Sequence, residues 1–276
     1  HKAEGLMRIA HFCWESLYGI RCGGLASAIT GLTEALAEKG HEVHLFTRWK
    51  EGFERHECIN GVHIHRCVFD PKGNMLEFAW KMSQAMVSDF QYIKRQVGDF
   101  DIVHCHDWHV VDALEALKRA GYRTVFTCHS TEWGRCGNAF GDGWESRAIS
   151  HKEWYGIYLA DLVTTVSKAM KGEIQWLYQV PDWKIQVIPN GIRPEKYAMD
   201  VDAGQIKKTY GIHPLAPVIL FVGRMSYQKG PDLLVEAIPH VLSHRWDAVF
   251  VFVGEGDSRA YCESRVWVLW VGERTK

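Results

Sequence analysis

Apolar positions along this chain recur with two different periods, and the two take turns. Short runs of apolar and β-branched residues at 8–13, 43–47, 61–67, 101–104, 123–127, 162–166 and 185–188 predict strands. Between them the spacing turns helical: Leu25, Ala28, Ile29, Leu32 and Leu36 lie on one face of a helix that Gly40 stops. Met75, Phe78, Met82, Met86, Phe90, Ile93 and Val97 mark one face of a longer helix, and further helices are expected at 110–118, 154–159 and 168–178. Strands and helices in strict alternation imply right-handed crossovers, a parallel sheet and helices on both faces, with ligands at the carboxyl ends of the strands. Pro181 and then Pro189-Asn-Gly-Ile-Arg-Pro194 break the rhythm. A second series follows: strand 218–222, helix 232–242, strand 248–253 and a helix from about 258. The reading is therefore an α/β chain of two Rossmann-like domains, 7–188 complete and 189–276 partial. Residues 1–6 carry no pattern and read as an upstream extension; the apolar run 266–271 is expected to pack beneath further strands.

Composition narrows the function classes. With 276 residues, 32 Lys+Arg and 33 Asp+Glu, the formal net charge is −1, which disfavours a nucleic-acid binder that relies on phosphate contacts. At 47% hydrophobic and 24% charged residues the chain has ordinary globular usage, not that of a disordered protein. The 12 Trp and 15 His are numerous, and both pair a flat ring with a polar tip, which suits a cleft for a polar ligand. The 8 Cys form no C-x-x-C pair and several stand inside apolar runs, so they read as reduced and structural in a cytoplasmic protein. No leader pattern precedes the first strand, and no apolar run reaches the ~18 residues of a membrane span.

Four strand ends carry more than packing. After the first strand, Glu15 and Arg21 precede Gly23-Gly24 and a helix; paired glycines allow close backbone approach and free N–H groups favour an anion, although a plain strand-to-helix turn reads equally well. His104-Cys-His-Asp-Trp-His109 could hold a metal through His104, His106, Asp107 and His109, but alternate residues at a strand end serve hydrogen bonding to a polar ligand as well. Another strand ends in His129, followed by a long Gly- and aromatic-rich stretch at 133–144. The most specific segment is Phe221-Val-Gly-Arg224-Met-Ser-Tyr-Gln-Lys229-Gly-Pro-Asp232, in which two cations flank a loop that opens onto a helix N-terminus, as a diphosphate clamp requires, although a solvated surface pair is the plain alternative. Gly254-Glu-Gly256 lacks the third glycine of a dinucleotide fingerprint and carries little weight.

Taken in order, these segments resemble the glycogen and starch synthase group of retaining, GT-B-fold, family-4 glycosyltransferases, from Met7 to about Asp257. Residues 15–24 are similar to the family's loop ending in Lys-x-Gly-Gly, and 104–109 to its His-x-His-Asp-Trp-His segment. Residues 125–129 resemble the strand ending in a sugar-contacting His, Thr164-Thr-Val-Ser167 and Pro189-Asn-Gly191 the approach to the interdomain passage, and 223–230 the Arg-x4-Lys-Gly donor clamp. The resemblance implies an active site in the cleft between two domains. The donor would be an ADP- or UDP-linked glucose and the acceptor an α-glucan or other sugar hydroxyl, with no metal or cofactor. It implies that Arg224, Lys229, Arg21, Gly23 and Gly24 hold the donor diphosphate. It implies further that His129 contacts the transferred sugar, with Glu15, His106, Asp107 and Asn190 lining the cleft; His129, Arg224 and Lys229 would carry catalysis. Arg21 stands where the synthases carry Lys, and the acidic Glu-x7-Glu segment of the family's second domain is absent, so the shortened chain is expected to be impaired. A carbohydrate-binding fragment without activity is the alternative, and a metal-dependent hydrolase built on the histidines a further one.

Overall fold

The computed structural model describes residues 5–276, so most of the patternless leading segment lies outside the described residues. The chain divides into two units, His1–Arg193 and Pro194–Lys276. In the first, chain order runs β1 (Arg8–Phe12), α1 (Gly24–Glu38), β2 (Glu42–Arg48), β3 (His56–Ile59), β4 (Val62–Cys67), α2 (Met75–Val97), β5 (Ile102–His106), α3 (Val111–Arg119) and β6 (Thr124–Cys128). It continues with α4 (Glu132–Arg135), α5 (Trp144–Leu159), β7 (Leu162–Thr165), α6 (Lys168–Tyr178) and β8 (Ile185–Val187). The strands form one sheet in the order β3-β4-β2-β1-β5-β6-β7-β8.

Each strand sends alternate side chains to opposite faces. Ala10, Phe12, Phe46, Val103, Cys105, Phe126 and Val163 meet Met82, Met86 and Phe90 of α2, Val111 and Leu114 of α3 and Ile157 of α5 on one face. Val43, Leu45, Val62 and Ile64 meet Ile29 of α1 on the other. Phe12, Phe46, Phe90 and Phe126 are fully buried, each worth about 1.5–3 kcal/mol of apolar transfer, and the Phe12 and Phe46 rings stack at 4.9 Å. The α2 helix starts where Asn74 accepts from the Leu76 and Glu77 amides while Glu77 reaches back to the Asn74 amide, a reciprocal cap.

The sheet departs from the expected all-parallel arrangement at one edge. β3 pairs antiparallel with β4, joined through Asn60 and Gly61 with φ of 50° and 78°. Two consecutive positive φ values make the tight hairpin turn that Asn-Gly favours, a signal present in the sequence that the helix–strand rhythm masked. The helix expected at 154–159 begins at Trp144 instead.

In the second unit, α7 (Ala203–Thr209) precedes β9 (Val218–Val222), α8 (Pro231–Leu242), β10 (Val249–Val253) and α9 (Arg259–Val268). β9 and β10 pair in parallel, and Ile238, Phe250 and Val271 are buried together. The apolar run 266–271 covers the last turn of α9 and the residues after it, with Val266, Leu269 and Val271 turned onto this core beside Ile219 and Phe250 and Trp267 and Trp270 exposed. Among the described residues no helix is long and apolar enough to cross a membrane.

Candidate functional site

From β1 the chain passes through α1 to β2 on one side of the sheet, while β5 lies on the other side of β1. This is a topological switch point, where the loops leaving the carboxyl ends of adjacent strands diverge and open a crevice. The loop after β1 is organised by Glu15. Its carboxylate is buried, 3% exposed, and one oxygen accepts from the Cys22 amide at 2.5 Å and the Gly23 amide at 2.8 Å. The Gly23 N–H is thus directed at Glu15. Gly24 opens α1, at the end of a helix where the first N–H groups have no intrahelical acceptor. Arg21 is exposed, with its guanidinium on the Leu17 carbonyl at 3.3 Å.

At the end of β5, Asp107 adopts φ 61° and ψ 170°, a sparsely populated conformation for a residue with a side chain. It ties two strand ends together: its amide donates to the Thr127 carbonyl at 2.9 Å, and its carboxylate accepts the His129 amide at 2.8 Å. His106 stands between two other imidazoles. Its Nε2 lies 3.1 Å from Nδ1 of His11 on β1, and its Nδ1 lies 3.2 Å from Nε2 of His129. His104 pairs with the Thr127 hydroxyl at 2.6 Å, and Thr127 with the Thr164 hydroxyl at 2.6 Å. Burial holds the His11 imidazole down at about 3 and keeps those of His104 and His106 well below the usual histidine range, so all three are neutral near pH 7.

The four residues considered for a metal do not come together. His109 stacks on Trp14 at 4.0 Å, and the imidazoles whose nitrogens lie within 4.8 Å of one another are His11, His104 and His106, without Asp107 or His109. His11 gave no signal in the sequence beyond its place in a strand; it joins the site because β1 and β5 pair with His11 opposite His104.

The segment after His129 is held by a buried carboxylate that sequence reading also missed. Glu153 of α5, 1% exposed, accepts from the Glu132 amide at 3.0 Å, from Arg135 at 2.5 Å and from the Tyr178 hydroxyl at 2.5 Å. Burial pushes its carboxyl up to about 6 against the opposing pull of Arg135. Arg135 also donates to the Ser130 hydroxyl at 2.7 Å, and Thr131 to Glu173. Asn190 is exposed in the passage beyond β8; nearby, Arg193 is anchored on Glu38 at 2.6 Å.

In the second unit the loop after β9 carries Arg224 and Lys229, both exposed. Arg224 reaches Gln228 at 3.4 Å, and among the described residues neither cation has an acidic partner. Gly230, at φ 65°, precedes Pro231 at the first position of α8, a start that fits proline's missing N–H. Gly254-Glu-Gly256, of little weight as a fingerprint, shapes this loop. A Cβ on Gly254 would stand 1.8 Å from the Gly223 carbonyl oxygen, and one on Gly256 2.3 Å from that of Met225. Backbone bonds from Gly223 to Val253 at 3.0 Å and from Met225 to Glu255 at 2.8 Å clamp the two loops together.

The family model described as Glycosyltransferase Family 4 matches residues 22–196, more than half of the chain, and that described as Glycosyl transferases group 1 matches 216–275. An uncharacterized glycosyltransferase of Methanocaldococcus jannaschii is 36% identical over 274 residues, covering 96% of this chain and 67% of its own. A glycogen synthase of Mycobacterium tuberculosis is 29% identical, covering 91% and 62%; the chain thus spans about two thirds of the length of these relatives. The sucrose-phosphate synthase of Thermosynechococcus elongatus superimposes with a TM-score of 0.80 at 19% identity, over 98% of this chain and 69% of that one, which establishes the GT-B-type fold. Sequence order, fold and relatives agree, and the chain belongs to glycosyltransferase family 4, as a glycogen- and starch-synthase-like member.

Proposed function

We propose that this chain is a retaining hexosyltransferase that moves a glucosyl unit from an ADP- or UDP-linked donor to a hydroxyl of an α-glucan or another sugar, in the cytoplasm and without a resident metal or cofactor. One observation carries the reading: Arg224 and Lys229 are exposed cations without an acidic partner among the described residues, on a loop that Gly254 and Gly256 brace. A departing nucleoside diphosphate develops negative charge as the bond to the sugar breaks, and fixed cations stabilise that charge more in the transition state than in the ground state. The N-terminus of α8 adds its dipole in the same sense.

In the first unit, His129 contacts the transferred sugar and steadies its oxocarbenium-like character. Asp107 and His106 hold His129 in place through the contacts described above. Arg21 and the Gly24 amide take donor oxygens, while the Gly23 amide, occupied by Glu15, serves loop shape instead. Glu15 therefore acts through the loop, and Asn190, exposed, is left as a sugar contact.

The test incubates the protein with radiolabelled ADP-glucose or UDP-glucose and glycogen. Label in the polymer, with an α-linkage by NMR of the product, is the expected result. Failure to release nucleoside diphosphate or to label the polymer with either donor overturns the reading, and sugar binding without release would make the chain a carbohydrate-binding protein.

A further inference from the structure

Position 66 continues the face of β4 that Val62 and Ile64 turn toward α1, a place where burial calls for an apolar side chain. It holds Arg66 instead, 1% exposed. A guanidinium is costly to take out of water unless its N–H groups are met, and here they are met chiefly by backbone. Nε and Nη2 donate together to the Tyr18 carbonyl at 3.1 and 2.7 Å. Nη1 donates to the Glu54 carbonyl at 2.6 Å, and Nη2 also reaches the Glu57 carboxylate at 2.8 Å. The Phe53 ring covers the group, its centre 5.0 Å from Cζ.

Tyr18 lies in the loop between β1 and α1, 48 positions from Arg66. The residue before it, Leu17, carries the Arg21 guanidinium on its carbonyl at 3.3 Å, and its amide donates to the Thr30 hydroxyl at 3.0 Å. Around Tyr18 the chain closes a small turn, with the Ser16 amide on the Ile20 carbonyl at 3.0 Å and the Gly19 amide on that of Ser16 at 3.3 Å. Glu15 grips the end of this loop, and Arg66 grips its middle. Two N–H groups of one rigid plane on a single carbonyl fix both the place and the orientation of that peptide. We infer that Arg66 is a positioning residue for the donor site: it holds the Tyr18 peptide, and with it the turn on which Arg21 rests, so that Arg21 presents its charge to the donor diphosphate. The functional half of this rests on the reading of Arg21 as a donor contact; the anchoring of the loop does not.

Arg66→Lys keeps the charge but replaces the planar fork with one ammonium. By hydrogen exchange, the Ser16 and Gly19 amides should exchange ~10-fold faster in this variant, with the amides of β1 and β5 unchanged. In the transfer assay the KM for the sugar donor should rise ~10-fold while kcat stays within about twofold. A loss of folded protein acts otherwise, lowering the maximal rate and leaving KM as it was. In an Arg21→Ala background Arg66→Lys should change the donor KM by less than about twofold, because both substitutions remove the same contact. Additive effects of the two, or an unchanged donor KM in a folded Arg66→Lys protein, overturn the inference. So does a wild-type protein whose Ser16 and Gly19 amides exchange at the rate of an unstructured peptide, whether or not the variant folds. Faster exchange in Arg66→Lys beside a normal donor KM in Arg21→Ala would uphold the anchor and remove the reading of Arg21 alone.

Discussion

Gly254 lies so close to Gly223 that a Cβ on the first would stand 1.8 Å from the carbonyl oxygen of the second. The contact joins the ends of β9 and β10 and sets the course of the loop that carries Arg224. Gly254 also holds φ at 153°. Gly254→Ala therefore meets both a backbone clash and a conformation hostile to a side chain, the latter alone on the order of 1–3 kcal/mol. A urea titration should show the loss as a lowered midpoint of the second unit's transition. Gly24→Ala, whose new Cβ would meet nothing within 4 Å at an ordinary φ, should be nearly silent in the same titration.

The Arg224 loop should also decide turnover. Arg224→Ala is expected to lower kcat/KM for the sugar donor by about 2–4 kcal/mol of transition-state stabilisation, and Lys229→Ala by a comparable amount. Far-UV circular dichroism should be unchanged, because both side chains are exposed. Turnover within about twofold of wild type for Arg224→Ala would remove it from the donor site.

Glu15 makes a separable prediction. Its carboxylate organises residues 15–23 by accepting two amides, and hydrogen bonds to a charged acceptor are worth about 1.5–3 kcal/mol each when lost. Glu15→Ala should loosen the loop, seen as faster proteolysis near Arg21 and a lower urea midpoint. Glu15→Gln, which keeps one acceptor oxygen, should fall between. A Glu15→Ala protein as resistant to trypsin as the wild type would mean the loop is held by other contacts.

Acid should unfold the first unit early. His11 and His44 are held at about 3 and about 4 by burial, and His65 at about 2. A histidine with a lowered folded pKa contributes stability that is present above its ordinary value near 6.5 and is lost as the pH falls. Each buried histidine removes about 1.4 kcal/mol per pH unit below that point. Glu153 works in the opposite sense. Its folded value is raised to about 6, so its contribution is complete below about 4.5 and fades as the pH rises through 6. One carboxyl does not offset several histidines, so the melting temperature should fall steadily from pH 6.5 to 4.5. A flat profile over that range would show that these imidazoles are solvated.

Much of this was legible from residue order alone. The two periods of apolar residues located nearly every strand and the long helices, because burial of one face imposes its own spacing on a local stretch of chain. The position of the candidate segments at strand ends was also legible, since such loops are marked by Gly, His and paired cations. The exceptions are instructive. The start of α5 at Trp144 follows a Gly-rich stretch, and its first turns bury little: Glu153, Gly156 and Ile157 carry its buried face, too few and too late to mark its beginning.

What residue order could not decide is which distant groups become neighbours. His11 and His106 are 95 positions apart, and only the pairing of β1 with β5 brings their rings together. Glu153 reaches Arg135 and Tyr178 because α5 packs against α4, which carries Arg135, and Tyr178 at the end of α6 comes beside it, and Gly254 matters because a second strand returns beside the first. Local spacing is set by the geometry of one helix or strand and can be read along the chain. Strand adjacency is set by how whole faces bury one another, and that is a property of the assembled sheet.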